Sequence, residues 1–295
     1  MNVGLIDIEP KIVNTAYMQI AAYHKAKGDL VTWWSPLMDR LFDVVYCSSL
    51  FDFTGKGEVP KRTICGGTGF DVSSMLSKAI EACDYDYSIY PECNRSIVWF
   101  SRGCIRKCPF CCVWKKEGNI KPVSPKPFNP NGNYVVVQDN NFFANPQWKA
   151  AIDILAFWDQ PVDFQGIDAR LLDEIQCKAL LKLRHKKQIK IAWDDPRDDM
   201  TEKLKWLTGI IKPYRLMCYV LIGYWSTEEE DLWRVETLRR LHIDPFVMPF
   251  NKSNPYQQKF TRWVNMKSIF YSVLWKEYLK CAPCPEQLAL FGDKS

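Results

Sequence analysis

Short runs of strand-forming residues, each followed by a helical or polar stretch, recur along most of this chain. This alternation narrows the folds open to it more than any other feature, because strands that run in the same direction need a crossover segment between them. Four runs, Asn2 to Ile8, Leu30 to Trp34, Val44 to Ser48 and Arg62 to Cys65, come early. They predict a small Rossmann-like α/β domain over residues 1-92. The alternation restarts after Ser96, with Ile97 to Phe100, Tyr134 to Gln138, Val162 to Gln165, Ile189 to Trp193, Met217 to Ile222 and Phe246 to Pro249. Six such strands with helical stretches between them, for example Thr227 to Leu241, predict a partial (βα)6 parallel barrel over residues 93-250. The class is therefore α/β. A C-terminal helix, Tyr256 to Lys280, and a tail complete residues 251-295.

Within the front layer, Asn14 is placed to cap a helix. Ala16, Tyr17, Ile20, Ala21 and His24 then recur at helical spacing up to Gly28. His24 lies on that apolar face, so it is expected in the core. The chain has 295 residues, 47% hydrophobic and 25% charged, which is the make-up of a globular protein rather than a disordered one. Its net charge of +5, from 39 basic and 34 acidic residues, is too small to argue for nucleic acid. No apolar run approaches the roughly 18 residues of a membrane span, and the opening Met1 to Ile8 lacks the marks of a leader. A soluble, cytoplasmic protein with no membrane partner is expected. In that setting its 12 cysteines are thiols or metal ligands rather than a disulfide frame.

The segment that carries chemistry is Ser101-Arg102-Gly103-Cys104-Ile105-Arg106-Lys107-Cys108-Pro109-Phe110-Cys111-Cys112, directly after the strand Ile97 to Phe100. Three thiolates this close can converge on one metal centre, and a cubane iron–sulfur cluster held by only three of them leaves one iron open to another ligand. Structural zinc usually takes four ligands in two spaced pairs, and no second pair follows closely. Gly103, Arg106 and Lys107 make the loop polar, which disfavours inert buried thiols. Cys112 could replace Cys111 if the spacing were three and three.

This loop resembles the signature of the radical S-adenosylmethionine superfamily: cysteines spaced three and then two residues apart after the first barrel strand, with an aromatic, here Phe110, before the last. The resemblance implies a 4Fe-4S cluster on Cys104, Cys108 and Cys111. It also implies S-adenosyl-L-methionine chelated to the open iron and split by one electron into methionine and a 5′-deoxyadenosyl radical that abstracts hydrogen from substrate. A flavodoxin- or ferredoxin-type electron donor is the partner so implied.

Ligands should then follow each strand. Gln138-Asp139-Asn140-Asn141 departs from the glycine-glycine-glutamate form and resembles the Asp-Asn variants of the methylthiotransferase and cobalamin-associated branches. That resemblance points to Asp139 and Asn140, with a plain strand-end turn as the alternative. Gln165-Gly166-Ile167-Asp168-Ala169-Arg170 is similar to a segment of the same branch. Gln165 and Arg170 are the expected contacts, Arg170 gripping the methionine carboxylate by paired hydrogen bonds or else pairing with Asp168 or Asp173. Asp194 after the fourth strand, Gly223 after the fifth and Pro249 at the end of the sixth complete the expected cofactor-binding set.

Cobalamin is not expected, because the stretch around His24 lacks the aspartate and spacing its binding loop needs. No Gly-x-Gly-x-x-Gly turn follows the first strand, which removes the dinucleotide fingerprint. Cys65-Gly66-Gly67-Thr68-Gly69 is expected to be a structural turn rather than a phosphate cradle. Cys281 and Cys284 could hold two ligands of an auxiliary metal. Phe260, Trp263, Phe270, Tyr271, Leu274, Trp275 and Tyr278, interleaved with Arg262, Lys267 and Lys276, either dock the last helix or stack bases. The substrate is not named by any residue; a nucleobase, in nucleic acid or as a nucleotide, is favoured over a peptide. The competing function is a metal-stabilised nucleic-acid-binding module without catalysis.

Overall fold

The computed structural model describes residues 1–280, and the chain divides into two compact units. One consists of Met1–Gly166 with Lys182–Lys186, the other of Ile167–Leu181 with the chain from Lys187 onward. The main division falls after Gly166 rather than at residue 92. The expected front layer therefore shares its unit with the first strands of the second alternating run. No described helix is long and apolar enough to cross a membrane.

The first unit opens with β1 (Asn2–Ile6), α1 (Thr15–Ala26), β2 (Leu30–Trp33), β3 (Val44–Ser48) and β4 (Ile64–Gly66). The four strands form one parallel sheet in the order β2-β1-β3-β4. The Asn14 side chain accepts from the Ala16 N–H at 3.0 Å and starts α1 as a cap should. The helix stops where Gly28 takes φ +80°. Tyr17, Ile20 and Ala21 pack on Val3, Leu5 and Val31, while Met18 on another face packs with Tyr87 and Cys93. His24 is a core residue: Nδ1 lies 2.7 Å from Asp29 and Nε2 lies 3.1 Å from the Tyr46 hydroxyl. The glycine turn after β4 is structural. A Cβ on Gly67 or Gly69 would strike the carbonyls of Ser49 and Phe51, so the chain's own backbone fills that space.

The unit continues with α2 (Lys78–Glu81), β5 (Ser96–Val98), β6 (Ser101–Arg102), α3 (Val113–Lys116), β7 (Lys121–Pro122), β8 (Val135–Val137), α4 (Trp148–Trp158) and β9 (Val162–Phe164). β5, β8 and β9 make a second parallel sheet in that order, and β6 pairs with β7 antiparallel. Phe142 is wholly buried, with its ring edge-on to Phe100 at 6.2 Å and Phe164 at 4.9 Å. Such a ring contributes about 1.5–3 kcal/mol by leaving water.

The second unit holds nearly all of α5 (Glu174–Lys182), then β10 (Ile189–Ala192), α6 (Thr201–Ile210), β11 (Leu216–Ile222), α7 (Glu228–Arg240), β12 (Asp244–Pro249), α8 (Pro255–Asn265), α9 (Lys267–Ser272) and α10 (Trp275–Lys280). β10, β11 and β12 are parallel neighbours in that order. α7 begins with a capping box between Thr227 and Glu230, with acidic residues in its first turn and Arg239 and Arg240 in its last, matching the helix dipole.

The single final helix expected over Tyr256 to Lys280 is corrected to three. Asn265 uses its amide as a strand partner, accepting from the Val247 N–H at 2.8 Å and donating to its carbonyl at 3.0 Å. Met266 then leaves the helical region with ψ 87°, and Val273 is extended. The Val273 carbonyl accepts from the Trp263 indole at 2.9 Å. Phe260, Trp263 and Phe270 are each 0% exposed. Trp263 therefore docks helices and has no face to offer a base. Cys281 and Cys284 lie outside the described residues.

Candidate functional site

In the first unit the cysteine segment is a closed loop. Ser101 pairs with Pro122 and Arg102 with Lys121 at its base, and the Cys104 N–H donates to the Gly118 carbonyl at 3.2 Å. Gly103 sits at φ +83°, and a Cβ there would meet the carbonyls of Asn119 and Gly118. No other residue suits both that dihedral and that space. Cys104, Cys108 and Cys111 are half-buried and Cys112 is exposed, and none of the four is in a disulfide. The Cys111 N–H donates to the Cys108 carbonyl at 3.0 Å, and the Arg106 N–H points at the Cys104 sulfur from 3.3 Å. Burial pushes the Cys111 thiol up, and Cys112, Cys108 and Cys104 push it further, as close like-charging thiols do. Among the described residues no three His, Cys, Asp or Glu side chains converge to hold a metal ion. The donor chemistry nevertheless suits an iron–sulfur cluster: soft, unoxidised thiols on one closed loop, with a backbone N–H aimed at the first sulfur.

The turn after β8 lies against this loop. Asp139, 1% exposed, does not point outward; both its oxygens are committed to the end of β5. Oδ1 accepts from the Phe100 N–H at 2.8 Å and Oδ2 accepts from the Ser101 hydroxyl. Burial raises its carboxyl to about 6 against those hydrogen bonds. Asp139 thus braces the turn. Asn141 is buried, with Nδ2 4.0 Å from the Cys104 sulfur and Oδ1 without a partner. Gly166 passes so close to the turn that a Cβ would strike the carbonyls of Asp139 and Asn140. The Gln165 N–H donates to the Val137 carbonyl at 3.0 Å, which brings Gln165 to the same end of the sheet.

One residue of this site was not anticipated. Glu117, following α3, folds back over the loop: Oε1 accepts from Arg102 Nη2 at 2.5 Å, and Oε2 from the Gly103 N–H at 2.7 Å and Asn140 Nδ2 at 2.9 Å. A signal for it existed in the chain. Arg102, Arg106, Lys107, Lys115, Lys116, Lys121 and Lys126 share their stretch with a single acid, Glu117. Besides Arg102 on Glu117, Lys116 bonds the carbonyls of Val72 and Ser74 and Lys126 that of Cys83.

The remaining expected residues belong to the second unit. Arg170 forms the ion pair set out as its alternative role: Nε and Nη2 meet the two oxygens of Asp168 at 2.7 and 3.2 Å, and Nη1 meets Asp198 at 2.9 Å. Its fork is filled by Asp168, the geometry a substrate carboxylate would otherwise take. Asp194 has Oδ1 buried without a partner. Burial raises its carboxyl to about 6, opposed by the Leu221 N–H, Arg234 and Arg170 and reinforced by Asp168. Arg170 and Asp194 therefore act within one electrostatic neighbourhood. Gly223 takes φ +76°, and the group closest to its missing Cβ is the Gln257 side chain. Pro249 pairs in register with Ile222 at the close of β12. Arg234, also unanticipated, is 0% exposed; it donates to the carbonyls of Trp193 and Leu221, each at 2.9 Å, and to Asp231 at 2.6 Å. Tyr256 and Ser226 complete the bonding of Asp231 at 3.1 and 2.5 Å.

No protein-family model matches the chain, and a search of curated proteins returns no match.

Proposed function

We propose that this protein is a radical S-adenosylmethionine enzyme, with Cys104, Cys108 and Cys111 holding a 4Fe-4S cluster. The observation that carries the reading is the closed loop of thiols, none in a disulfide, at the carboxyl end of β5, braced against the polar turn that ends β8. In parallel α/β sheets, chemistry gathers at that end of the strands. When bound, the cluster supplies the single electron that splits the sulfonium carbon–sulfur bond of S-adenosylmethionine. Asp139 holds the turn through Phe100 and Ser101, Asn140 and Gln165 lie at the same end of the sheet, and the cations of the loop suit an acidic flavodoxin- or ferredoxin-type donor. The finer architecture of this proposal is a partial (βα)6 barrel after a Rossmann-like layer, and both of its expected strand sets are parallel.

Anaerobic reconstitution should load about four irons per chain and yield 5′-deoxyadenosine that depends on a reductant. A folded sample that does neither overturns the assignment. The competing nucleic-acid module predicts instead one zinc per chain, about, and salt-sensitive binding; burial of Trp263 removes its main aromatic support. The substrate reading of a nucleobase loses the same support and stands on the branch resemblance.

A further inference from the structure

Away from the thiol loop, the front sheet brings two further cysteines together. Cys47 and Cys65 lie directly opposite each other in the register of β3 and β4. Registered partners on neighbouring strands project to the same face and stand about 4.7–4.9 Å apart. That falls inside the roughly 4.4–6.8 Å over which a disulfide bridges two Cα atoms. Among the described strands, no other register sets two cysteines opposite each other. We infer that Cys47 and Cys65 are a redox-active pair, a dithiol that a low-molecular-weight disulfide converts to a Cys47–Cys65 bond across β3 and β4.

The two thiols differ in access, and that sets their roles. Cys47 is 1% exposed and packs with Ile6, Phe42 and Val45, whereas Cys65 is exposed on the last strand of the order β2-β1-β3-β4. The Cys65 thiol makes a weak contact of 3.8 Å with the Thr63 carbonyl, which costs little to give up. Burial pushes the Cys47 thiol up to about 12 and Cys65 adds to the rise, as a close neighbour of like charge does; burial raises Cys65 as well. Cys65 is therefore the thiol that a small disulfide meets first. Its thiolate attacks one sulfur of that disulfide, the S–S bond breaks, and one small thiol leaves as a mixed disulfide forms on Cys65. The Cys47 thiolate then attacks the Cys65 sulfur and expels the second small thiol. The protein is oxidised by two electrons, the small disulfide is reduced by the same two, and the protons of Cys47 and Cys65 end on the two thiols released. The Cβ atoms of a disulfide sit about 3.5–4.5 Å apart, closer than the strand spacing, so closure draws the three-residue β4 inward and leaves a bond that a thiol readily reopens.

The test is to equilibrate the folded, fully reduced chain with oxidised glutathione at mildly alkaline pH, quench with acid, alkylate and map the cysteines by mass spectrometry of a non-reducing digest. The parent should give a linked pair of peptides carrying Cys47 and Cys65, lighter by two hydrogens than the separate peptides, and dithiothreitol should return both thiols. Cys65→Ser, a change at an exposed position, should remove the linked pair and leave Cys47 unmodified. Cys47→Ala should keep glutathione on Cys65 as the mixed disulfide, because the thiol that would displace it is gone. A parent that stops at glutathione on Cys65, or that links Cys65 to any cysteine other than Cys47, overturns the inference even if Cys47→Ala fails to fold. So does glutathione on Cys47 in Cys65→Ser, which would show that the buried thiol is the one a small disulfide reaches. None of these readouts depends on iron or S-adenosylmethionine, so the pair and the functional reading stand or fall separately.

Discussion

Both units place charged groups where parallel strands end, but they handle them oppositely. At the ends of β5 and β8 the first unit ties the buried carboxylate of Asp139 to neutral donors and leaves half-buried thiols nearby. At the ends of β10 and β11 the second unit buries an ion pair, Asp231 with Arg234, and bonds it to three carbonyls of Trp193, Asp194 and Leu221. The first arrangement keeps reactive groups available at little electrostatic cost. The second is costly to assemble and costlier to break, since removing one partner strands a charge without solvent.

Substitutions can push on that contrast. The largest effect expected is on metal: Cys104→Ala, Cys108→Ala or Cys111→Ala should each drop iron retention to background, while Cys112→Ala keeps it. The same changes should shift the metal-free protein by only about 0.5 kcal/mol, because half-exposed thiols pack little. Retention of iron by Cys111→Ala with loss in Cys112→Ala would reassign the third ligand. In the second unit the sign of the contrast reverses, and Arg234→Ala should destabilise by about 3–5 kcal/mol in denaturant unfolding. A variant as stable as the parent would show that the buried pair is not structural.

Asp139→Ala comes next, at about 1–3 kcal/mol, for stranding the Phe100 N–H and the Ser101 hydroxyl. Asp139→Asn should cost far less, because an amide can still accept from Phe100 and donate to Ser101. The smallest effect is on pH dependence. Asp139 and Asp194 are raised from 3.8 to about 6, so the folded chain binds more protons than the unfolded one between those values. Their contribution to stability is therefore greatest below about 4 and is lost as pH rises through about 6. Glu9 and Asp244 are shifted down and act the other way, losing stability as pH falls. Comparing parent with Asp139→Asn isolates the first slope; identical slopes would mean that Asp139 is not protonated in this window.

Much of this was legible along the chain. All ten expected strands occur within two residues of where β-branched and aromatic runs placed them, because a strand's residues are chosen by a pattern of neighbours. The capping residue Asn14 stood out for the same reason. The broken final helix did not, since its cause is Asn265 bonding to Val247, eighteen residues earlier. Arg170 was legible as a candidate but not in its partner, because the choice among Asp168, Asp173 and a ligand is made by side-chain geometry.

The order of residues settled where strands recur, which way they must run and that three thiols lie on one loop, since each is a matter of spacing over a few residues. It could not settle that Asp139 turns inward, that Glu117 bonds the Asn140 amide, or that Arg234 and Trp263 are buried. Those depend on which groups from distant segments meet, and on how much water is excluded when they do. Burial is what raises the Asp139 carboxyl, strengthens the Asp231–Arg234 pair and removes Trp263 from any ligand's reach, and burial is a property of the folded chain.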